Sequence, residues 1–312
     1  MKISLTLFLF TLMLFIVSCT SLPIENKNVL NIDLTIKTSN KNKELIIESL
    51  FKENILFSLD FDKEGSYELS DDLINSEMKY FCNSIIEEEK IFIESKIFKS
   101  NKTKNKKILV IYSEPHIEFV NSLKEKYPEE LFFSINESNY EQKVAEILNT
   151  VISLKNYEKV STVDRSIQIE HLPRVRNDIS KIYFVTDYDI GKTIVPEIKS
   201  YTLNIALYSS SEIFHDAVDL KKLVDFEGSL VPVSNQLIRS IPSNTNTNTN
   251  IKNEIEKLLI EDFLTIEKVH QNNLHSKNIQ LKTGNGEIKK NSCIKRDLNF
   301  WKVSTNDISN QI

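Results

Sequence analysis

The central part of the chain alternates short apolar segments with segments of helical periodicity. Four apolar runs have the length of buried strands, and the first three each precede an amphipathic helix. The runs are residues 107–112, 131–135, 182–186 and 203–208. Continuous apolar strands that alternate with helices are typical of a parallel sheet covered on both faces, with right-handed crossovers. We therefore predict an α/β fold for this region.

The part that precedes residue 107 is less regular. A strand at 29–36, a helix near 44–51 and a second strand at 55–59 are predicted there. Residues 71–98 show mixed helical periodicity and include three consecutive glutamates at 87–89. Such an acidic run is typical of a solvated helix face, and we predict one here.

The C-terminal part is predicted to add one helix and two strands. Apolar residues at helical spacing over 251–271 indicate a helix that packs into a core. Strands are predicted at 279–281 and 293–303, and Gly284 and Gly286 supply the turn between them.

The first residues have the pattern of an export signal. Residues 3–17 are almost entirely apolar, and the chain becomes polar directly after Cys19, as in a signal peptide rather than a spanning helix. Residues 16–19, Ile-Val-Ser-Cys, resemble the lipobox of bacterial lipoproteins, which implies cleavage after Ser18 and lipidation of Cys19. Two or more acyl chains suffice for stable attachment to a membrane. The alternative is that the segment is an uncleaved membrane anchor in which the cysteine occurs by chance.

These patterns divide the chain into a signal peptide, a lipidated tether, two lobes, a low-complexity loop and a tail. The predicted bounds are 1–18 for the signal peptide, 19–27 for the tether, 28–106 with 250–275 for the first lobe, 107–235 with 276–303 for the second, 236–249 for the loop, and 304–312 for the tail.

Composition excludes some classes of function. The chain of 312 residues is 40% hydrophobic and carries a formal net charge of −5, so it should be globular, and it has no basic domain that indicates nucleic-acid binding. If Cys19 is lipidated, Cys82 and Cys293 remain. They could pair in an oxidising compartment, but two cysteines far apart in sequence leave that question open.

Motifs of catalysis and of metal or cofactor binding are missing from the sequence. It contains no G-x-S-x-G, H-E-x-x-H, P-loop or G-x-G-x-x-G pattern, and its five histidines lack metal-like spacing with cysteines or carboxylates. We therefore predict no catalytic residues, no metal and no cofactor, and we expect that the protein is not an enzyme.

Two groups of residues are candidates for binding a partner or ligand. Arg174 and Arg176, two apart in an extended segment, would point to the same side and could hold an anion or an acidic patch of a partner. The alternative is an ion pair with Asp178 that fixes the segment. The second group follows predicted strands, where functional groups of parallel sheets collect. It consists of Thr186, Asp187, Ser209 and Ser210.

Asp187 has two possible roles. It could form a carboxylate pair with Asp189, or it could cap the helix that begins after it.

Eight short motifs occur in an order that resembles a known family. They are Asp164–Ser166, His171–Ile179, Val185–Thr186, Pro196, Tyr208–Phe214, Asp225–Pro232, Thr283–Ile288 and Ile294–Trp301. Their order and spacing over about 107–303 resemble the carboxy-terminal domain of the LppC/LpoA family, outer-membrane lipoproteins that activate class A penicillin-binding proteins.

The resemblance implies a type I periplasmic-binding-protein-like fold of two Rossmann-like lobes with parallel sheets and no enzymatic activity. It also implies a class A penicillin-binding protein as partner and a lipid-anchored position on the periplasmic face of the outer membrane, with which Thr20 after the cysteine agrees. The family carries a helical-repeat domain before this one, which we expect this chain to lack. We also expect a shortened first lobe, because residues 28–106 are few.

Three functions are therefore compatible with the sequence. The first is regulation of peptidoglycan synthesis by binding and activating a class A penicillin-binding protein. The second is a solute-binding lipoprotein of a transporter, and the third is a degenerate envelope enzyme.

Overall fold

The computed structural model describes most of the chain from Ile32 to Ser304. The described residues are 32–54, 56–100, 106–136, 138, 140–163, 170–202, 204–241, 250–271, 278–288 and 293–304. The predicted signal peptide, Cys19, the tether, and most of the polar loop and tail lie outside them. Within the described ranges, no helix combines the length and apolar composition needed to cross a bilayer.

The smaller lobe begins with three short strands and one helix. These are β1 (Ile32–Thr38), α1 (Asn40–Lys52), β2 (Phe57–Phe61) and β3 (Tyr67–Leu69). β1 lies between β2 and β3 and pairs in parallel with both. The side chain of Ser39 accepts a hydrogen bond from the Asn42 N–H, which fixes the start of α1.

The larger lobe follows along the chain. Its elements are α2 (Ile85–Ile93), a π-helical turn (Glu94–Phe98), β4 (Lys107–Tyr112), α3 (Ile117–Lys126), β5 (Leu131–Ser134), α4 (Tyr140–Ile147), α5 (Thr150–Val163), β6 (Ile179–Val185), α6 (Tyr188–Tyr201), β7 (Ala206–Ser209), β8 (Leu230–Val233) and α7 (Asn235–Ser240). Short 3-10 helices lie at Glu114–His116, Ser211–Phe214 and Leu220–Phe226.

The last part of the chain returns to the smaller lobe and then to the larger one. It comprises α8 (Ile251–Gln271), β9 (Asn278–Ile279), β10 (Gly286–Ile288), β11 (Ile294–Arg296) and β12 (Asn299–Lys302). α8 packs on α1. β9, β10 and β11 form a separate antiparallel sheet with β10 in the middle.

The sheet of the larger lobe has six strands in the order β12, β8, β7, β6, β4, β5. The five strands from β8 to β5 are parallel, and β12 closes one edge by pairing antiparallel with β8. The carboxyl ends of β4, β6, β7 and β8 therefore lie along one edge of this sheet.

Side chains of the central strands alternate between two apolar layers. In β4, Ile108 and Val110 face a layer that includes Ile93 and Val120 from α2 and α3. Leu109, on the opposite face, belongs to a second layer, which α4 and α6 cover and which continues into the smaller lobe through α8. The two lobes consequently share one continuous core.

The helix predicted within 71–98 is shorter than its periodicity suggested. Residues 71–84 are irregular, and α2 begins only at Ile85. Ser84 and Glu87 form a capping box there, in which the Glu87 N–H donates to Ser84 Oγ and the Ser84 N–H donates to Glu87 Oε2. α2 packs on the larger sheet, although its residues fall in the segment predicted for the first lobe.

Two other predicted elements are each divided in the structure. The amphipathic helix predicted after the apolar run at 131–135 breaks at Asn149, whose φ of 62° is incompatible with a continuous right-handed helix. The strand predicted over 293–303 becomes β11 and β12 in different sheets, and the Asp297 N–H between them donates to the carbonyl of Asn285. Both predictions had the correct periodicity and missed the local backbone change.

Candidate functional site at the lobe junction

The strand ends of the larger sheet carry buried hydroxyl groups. Ser113 follows β4, and its N–H donates to the carbonyl of Val185 at 3.1 Å. Ser209 ends β7, and its Oγ donates to the carbonyl of Phe184, also at 3.1 Å. Both serines are inaccessible to solvent, so neither hydroxyl lines an open cleft. The Ser113 hydroxyl has no hydrogen-bond partner among the described residues.

Thr186 and Asp187 follow the end of β6, and Asp187 begins α6. Asp187 is the N-cap of α6, and its Oδ1 accepts from the Ile190 N–H at 3.0 Å. Asp189 forms its own ion pair with Lys192 at 2.6 Å. Thr186 is buried, and its hydroxyl has no hydrogen-bond partner within the described chain. The two aspartates thus make separate helix contacts and do not act as a carboxylate pair.

Ser210 belongs to a charged cluster between α2 and the loops of the larger lobe. Its Oγ donates to Glu212 Oε2 at 2.7 Å, and Lys90 Nζ from α2 lies 3.3 Å from the same oxygen. His116 Nδ1 is 3.9 Å from the other carboxylate oxygen. Burial raises the pKa of Glu212, but Lys90 and His116 outweigh it, so that the net shift is downward and Glu212 is ionised.

Glu89, one residue before Lys90, is fully buried beside this cluster. Its Oε2 accepts a hydrogen bond from the Ser211 N–H at 2.7 Å. Burial is the main cause that raises the pKa of Glu89 to about 8, and the nearby charge of Glu212 adds to the shift. Glu89 therefore carries a proton at neutral pH and joins α2 to the loop after β7 as a neutral group.

Glu88 begins a second buried chain of contacts. Its Oε2 pairs with Arg296 Nη1 at 3.1 Å, and Arg296 Nε donates to Thr283 Oγ1 at 2.9 Å. The Thr283 N–H donates to Asp262 Oδ2 at 2.9 Å, and the Arg296 guanidinium lies 3.9 Å from the centre of the Phe81 ring. These contacts connect α2, the antiparallel sheet and α8, so they extend from one lobe to the other.

A disulfide strengthens the same junction. Cys82 and Cys293, which are 211 residues apart, are bonded, with their Cα atoms 5.6 Å apart. The Ile294 N–H also donates to the carbonyl of Tyr80 at 2.7 Å. The bond joins two of the segments through which the chain passes between the lobes, and it resolves the pairing that the sequence left open.

The arginine group lies at the opposite edge of the larger sheet. Arg176 Nε and Nη2 donate to the two carboxylate oxygens of Asp178, each at 2.6 Å, just before β6 begins at Ile179. Arg174 is exposed, and its N–H donates to Ser153 Oγ at 3.0 Å. The two arginines therefore do not act together, and both are remote from Thr186, Asp187, Ser209 and Ser210.

Two cavities lie away from these strand ends. One, of about 560 Å³, lies against the antiparallel sheet, and the other, of about 460 Å³, lies at the amino ends of β7 and β8. Polar side chains line the first, including Asn278, Gln280, Asn285, Glu287 and Lys295.

The residues that join the lobes were mostly missed in the sequence. The prediction of a solvated face at residues 87–89 was wrong for Glu88 and Glu89, which are 7% and 0% exposed. Glu212 and Arg296 lie within the family-like motifs, which do not indicate that either residue forms a buried charged contact. The available signal was three adjacent glutamates next to apolar Ile85 and Ile86, because a helix cannot present all three to solvent while it buries its apolar stripe.

Neither a family model nor a curated relative matches the chain. Its structure is similar to that of a candidate branched-chain amino acid ABC transporter from Chromobacterium violaceum, with a TM-score of 0.53, 8% identity, and coverage of 87% of this chain and 99% of that one. For a second such candidate, from Rhodospirillum rubrum, the TM-score is 0.50, the identity 10%, and the coverage 88% and 98%.

LpoA from Haemophilus influenzae is also similar, with a TM-score of 0.48, 12% identity and coverage of 90% of this chain; this chain spans only 58% of that one. Likeness at such low identity shows the fold alone. The likeness to the two transporter structures confirms the predicted periplasmic-binding-protein-like α/β fold with parallel sheets.

Proposed function

We propose that this protein is a non-enzymatic regulator of the bacterial envelope that binds and activates a class A penicillin-binding protein. The observation that carries the proposal is the lobe junction, where the protein's own side chains contact each other across the strand ends. Glu88 of α2 pairs with Arg296, and the contacts continue through Thr283 to Asp262 of α8. The choice of partner rests on the motifs shared with the LppC/LpoA family between residues 107 and 303.

A solute-binding protein of this fold needs an accessible crevice with convergent polar groups. Here the serine side chains at the strand ends of β4 and β7 are buried, and the Ser209 hydroxyl is bonded within the protein. The Cys82–Cys293 bond and the Glu88–Arg296 pair also oppose a hinge motion that would open the crevice. A fixed pair of lobes is better suited to present an outer surface to a protein partner.

Activation of a synthase by docking requires that the protein bind one state of the synthase more tightly than the other. We propose that it acts from the periplasmic face of the outer membrane, held there by lipid on Cys19. Substitution of Cys19→Ala should move the protein from the membrane fraction to the soluble fraction. A substituted protein that stays with the membranes would refute the lipid anchor.

The partner can be identified by affinity capture from detergent-solubilised envelopes that have been labelled with fluorescent penicillin. Capture of a labelled high-molecular-mass band is the expected result, and addition of the protein should raise glycan polymerisation by that synthase. Recovery of a transporter permease without any labelled band would refute the proposal.

The second candidate is a solute-binding lipoprotein, favoured by the cavity of about 560 Å³ beside the antiparallel sheet. Its volume lies in the range of small-molecule sites, and its lining is rich in amide side chains. Titration with amino acids followed by thermal denaturation tests this function, because a ligand bound only by the folded state raises the melting temperature.

A further inference from the structure

α5 is exposed over most of its surface. Of its side chains only Thr150 is buried, and the helix rests on α4 along one side. The segment that precedes β6 lies against its inner side, where the Tyr157 and His171 rings are 4.8 Å apart. Ser153 Oγ also accepts a hydrogen bond from the Arg174 backbone N–H. The rest of the helix faces solvent.

The outer face of α5 carries an apolar stripe. Ile152, Val160 and Val163 are 55%, 55% and 86% exposed. Their spacing places them on one face, because an α-helix turns by about 100° per residue. Exposed Asn156 lies in the middle of this face. We call Ile152, Val160 and Val163 the α5 stripe.

The charges beside the α5 stripe are positive. Lys155 and Lys159 are both exposed, and neither forms an ion pair with a carboxylate in the described part of the chain. Glu158 lies on the far side of the helix from the stripe. The stripe thus has a basic edge on a protein whose total charge is −5.

The neighbouring segment extends this surface. Leu172 is 74% exposed, one residue from the His171 ring that contacts α5. Arg174, exposed and tethered to Ser153 through its N–H, adds a third positive charge. Aliphatic and basic side chains therefore occur on both α5 and the irregular segment next to it.

We infer that the α5 stripe is a docking face that enters an apolar groove, rimmed by carboxylates, on a protein partner. The inference rests on the proposed function, in which that partner is the synthase. Helices commonly bind in such grooves through apolar residues spaced three, four and more positions apart. Lys155, Lys159 and Arg174 would meet the acidic rim, which gives orientation and speeds association more than it adds affinity.

A protein groove fits this face better than a lipid surface does. Asn156 lies within the stripe, and insertion into hydrocarbon would leave its amide without hydrogen-bond partners, which is unfavourable. A groove can supply these partners. The stripe also lacks the aromatic side chains that anchor helices at membrane interfaces.

The test uses the full chain and the penicillin-labelled envelope. The double substitution Ile152→Glu with Val160→Glu should reduce capture of the labelled band at least tenfold without changing the melting temperature, because both side chains are exposed. Charge reversal of Lys155→Glu with Lys159→Glu should reduce it severalfold, and that loss should shrink in high salt. Val224→Glu, at an equally exposed position on the 3-10 helix of residues 220–226, is the matched control and should capture normally.

Equal capture by all variants would overturn the inference and leave the proposed function standing. Failure of the unsubstituted protein to capture any labelled band would overturn both. If the stripe variants keep capture but lose co-flotation with phosphatidylglycerol vesicles, the stripe binds lipid and the inference is wrong.

Discussion

Replacement of Glu89 by glutamine should make the protein more stable at neutral and alkaline pH. Glu89 is fully buried, and its pKa is raised from 4.5 to about 8, chiefly by burial. Glutamine has the same shape, and its amide oxygen can still accept the Ser211 N–H. The substitution therefore removes the ionisable group and keeps the contact between α2 and the loop after β7.

The magnitude follows from the two pKa values. Below pH 4.5 the carboxyl is protonated in both states and has no effect on the free energy of unfolding. Between pH 4.5 and 8 it ionises only in the unfolded state, so the free energy of unfolding falls by about 1.4 kcal/mol per pH unit. At pH 7 the loss is about 3 kcal/mol. Glu89→Gln should remove this loss. The net gain in unfolding free energy is about 1 kcal/mol smaller if the added amide N–H has no acceptor.

The measurement is urea denaturation of both proteins at several values between pH 5 and 8.5. The difference in unfolding free energy should grow steadily in favour of Glu89→Gln as pH rises and level off near pH 8. Glu88→Gln is the matched control on the same helix. It removes the negative charge that pairs with buried Arg296 and should destabilise by about 3 kcal/mol at pH 7. Parallel stability curves for Glu89→Gln and the unsubstituted protein would refute the reasoning.

Three further predictions concern the fold around the junction. Cys82→Ser should lower the free energy of unfolding by about 2–5 kcal/mol because the disulfide closes a loop of 211 residues, and a reductant should have no effect on the variant. Asp187→Ala should cost about 1 kcal/mol by removal of the α6 cap, whereas Asp187→Asn, which still accepts the Ile190 N–H, should cost less. Gly191→Ala should cost about 1–3 kcal/mol, because its Cβ would lie 2.8 Å from the Phe226 ring, and Phe226→Leu should relieve part of that loss in denaturation measurements.

The parts of the fold that could be predicted are those whose environment is uniform along the chain. β4 is buried on both faces, so its residues form a continuous apolar run. The same holds for most of β6. Edge strands, and strands by which the chain returns to an earlier sheet, were harder to predict. β12 joins the sheet antiparallel, next to β8, and nothing within residues 299–302 indicates which strand it pairs with.

The junction could not be predicted because its partners are distant in sequence. Glu88 meets Arg296 across 208 positions, and Glu89 meets the Ser211 N–H across 122. An acidic run looks the same whether it faces water or a buried arginine, since the difference lies in the tertiary fold. The helix cap at Asp187 depends only on neighbouring residues, and for that reason it was one of the two roles predicted from the sequence.

The same contacts support the proposed regulatory function over the solute-binding one. A protein that captures solute works through two states of its own, open and closed, and must lose little free energy when it opens. Opening these lobes would disrupt the contacts that run from Glu88 through Arg296 and Thr283 to Asp262 of α8, while the Cys82–Cys293 bond restricts the motion. The closed state is therefore strongly favoured, and a solute would enter slowly because the open state is rarely populated. A regulator needs no such motion, since the two states that matter belong to its partner.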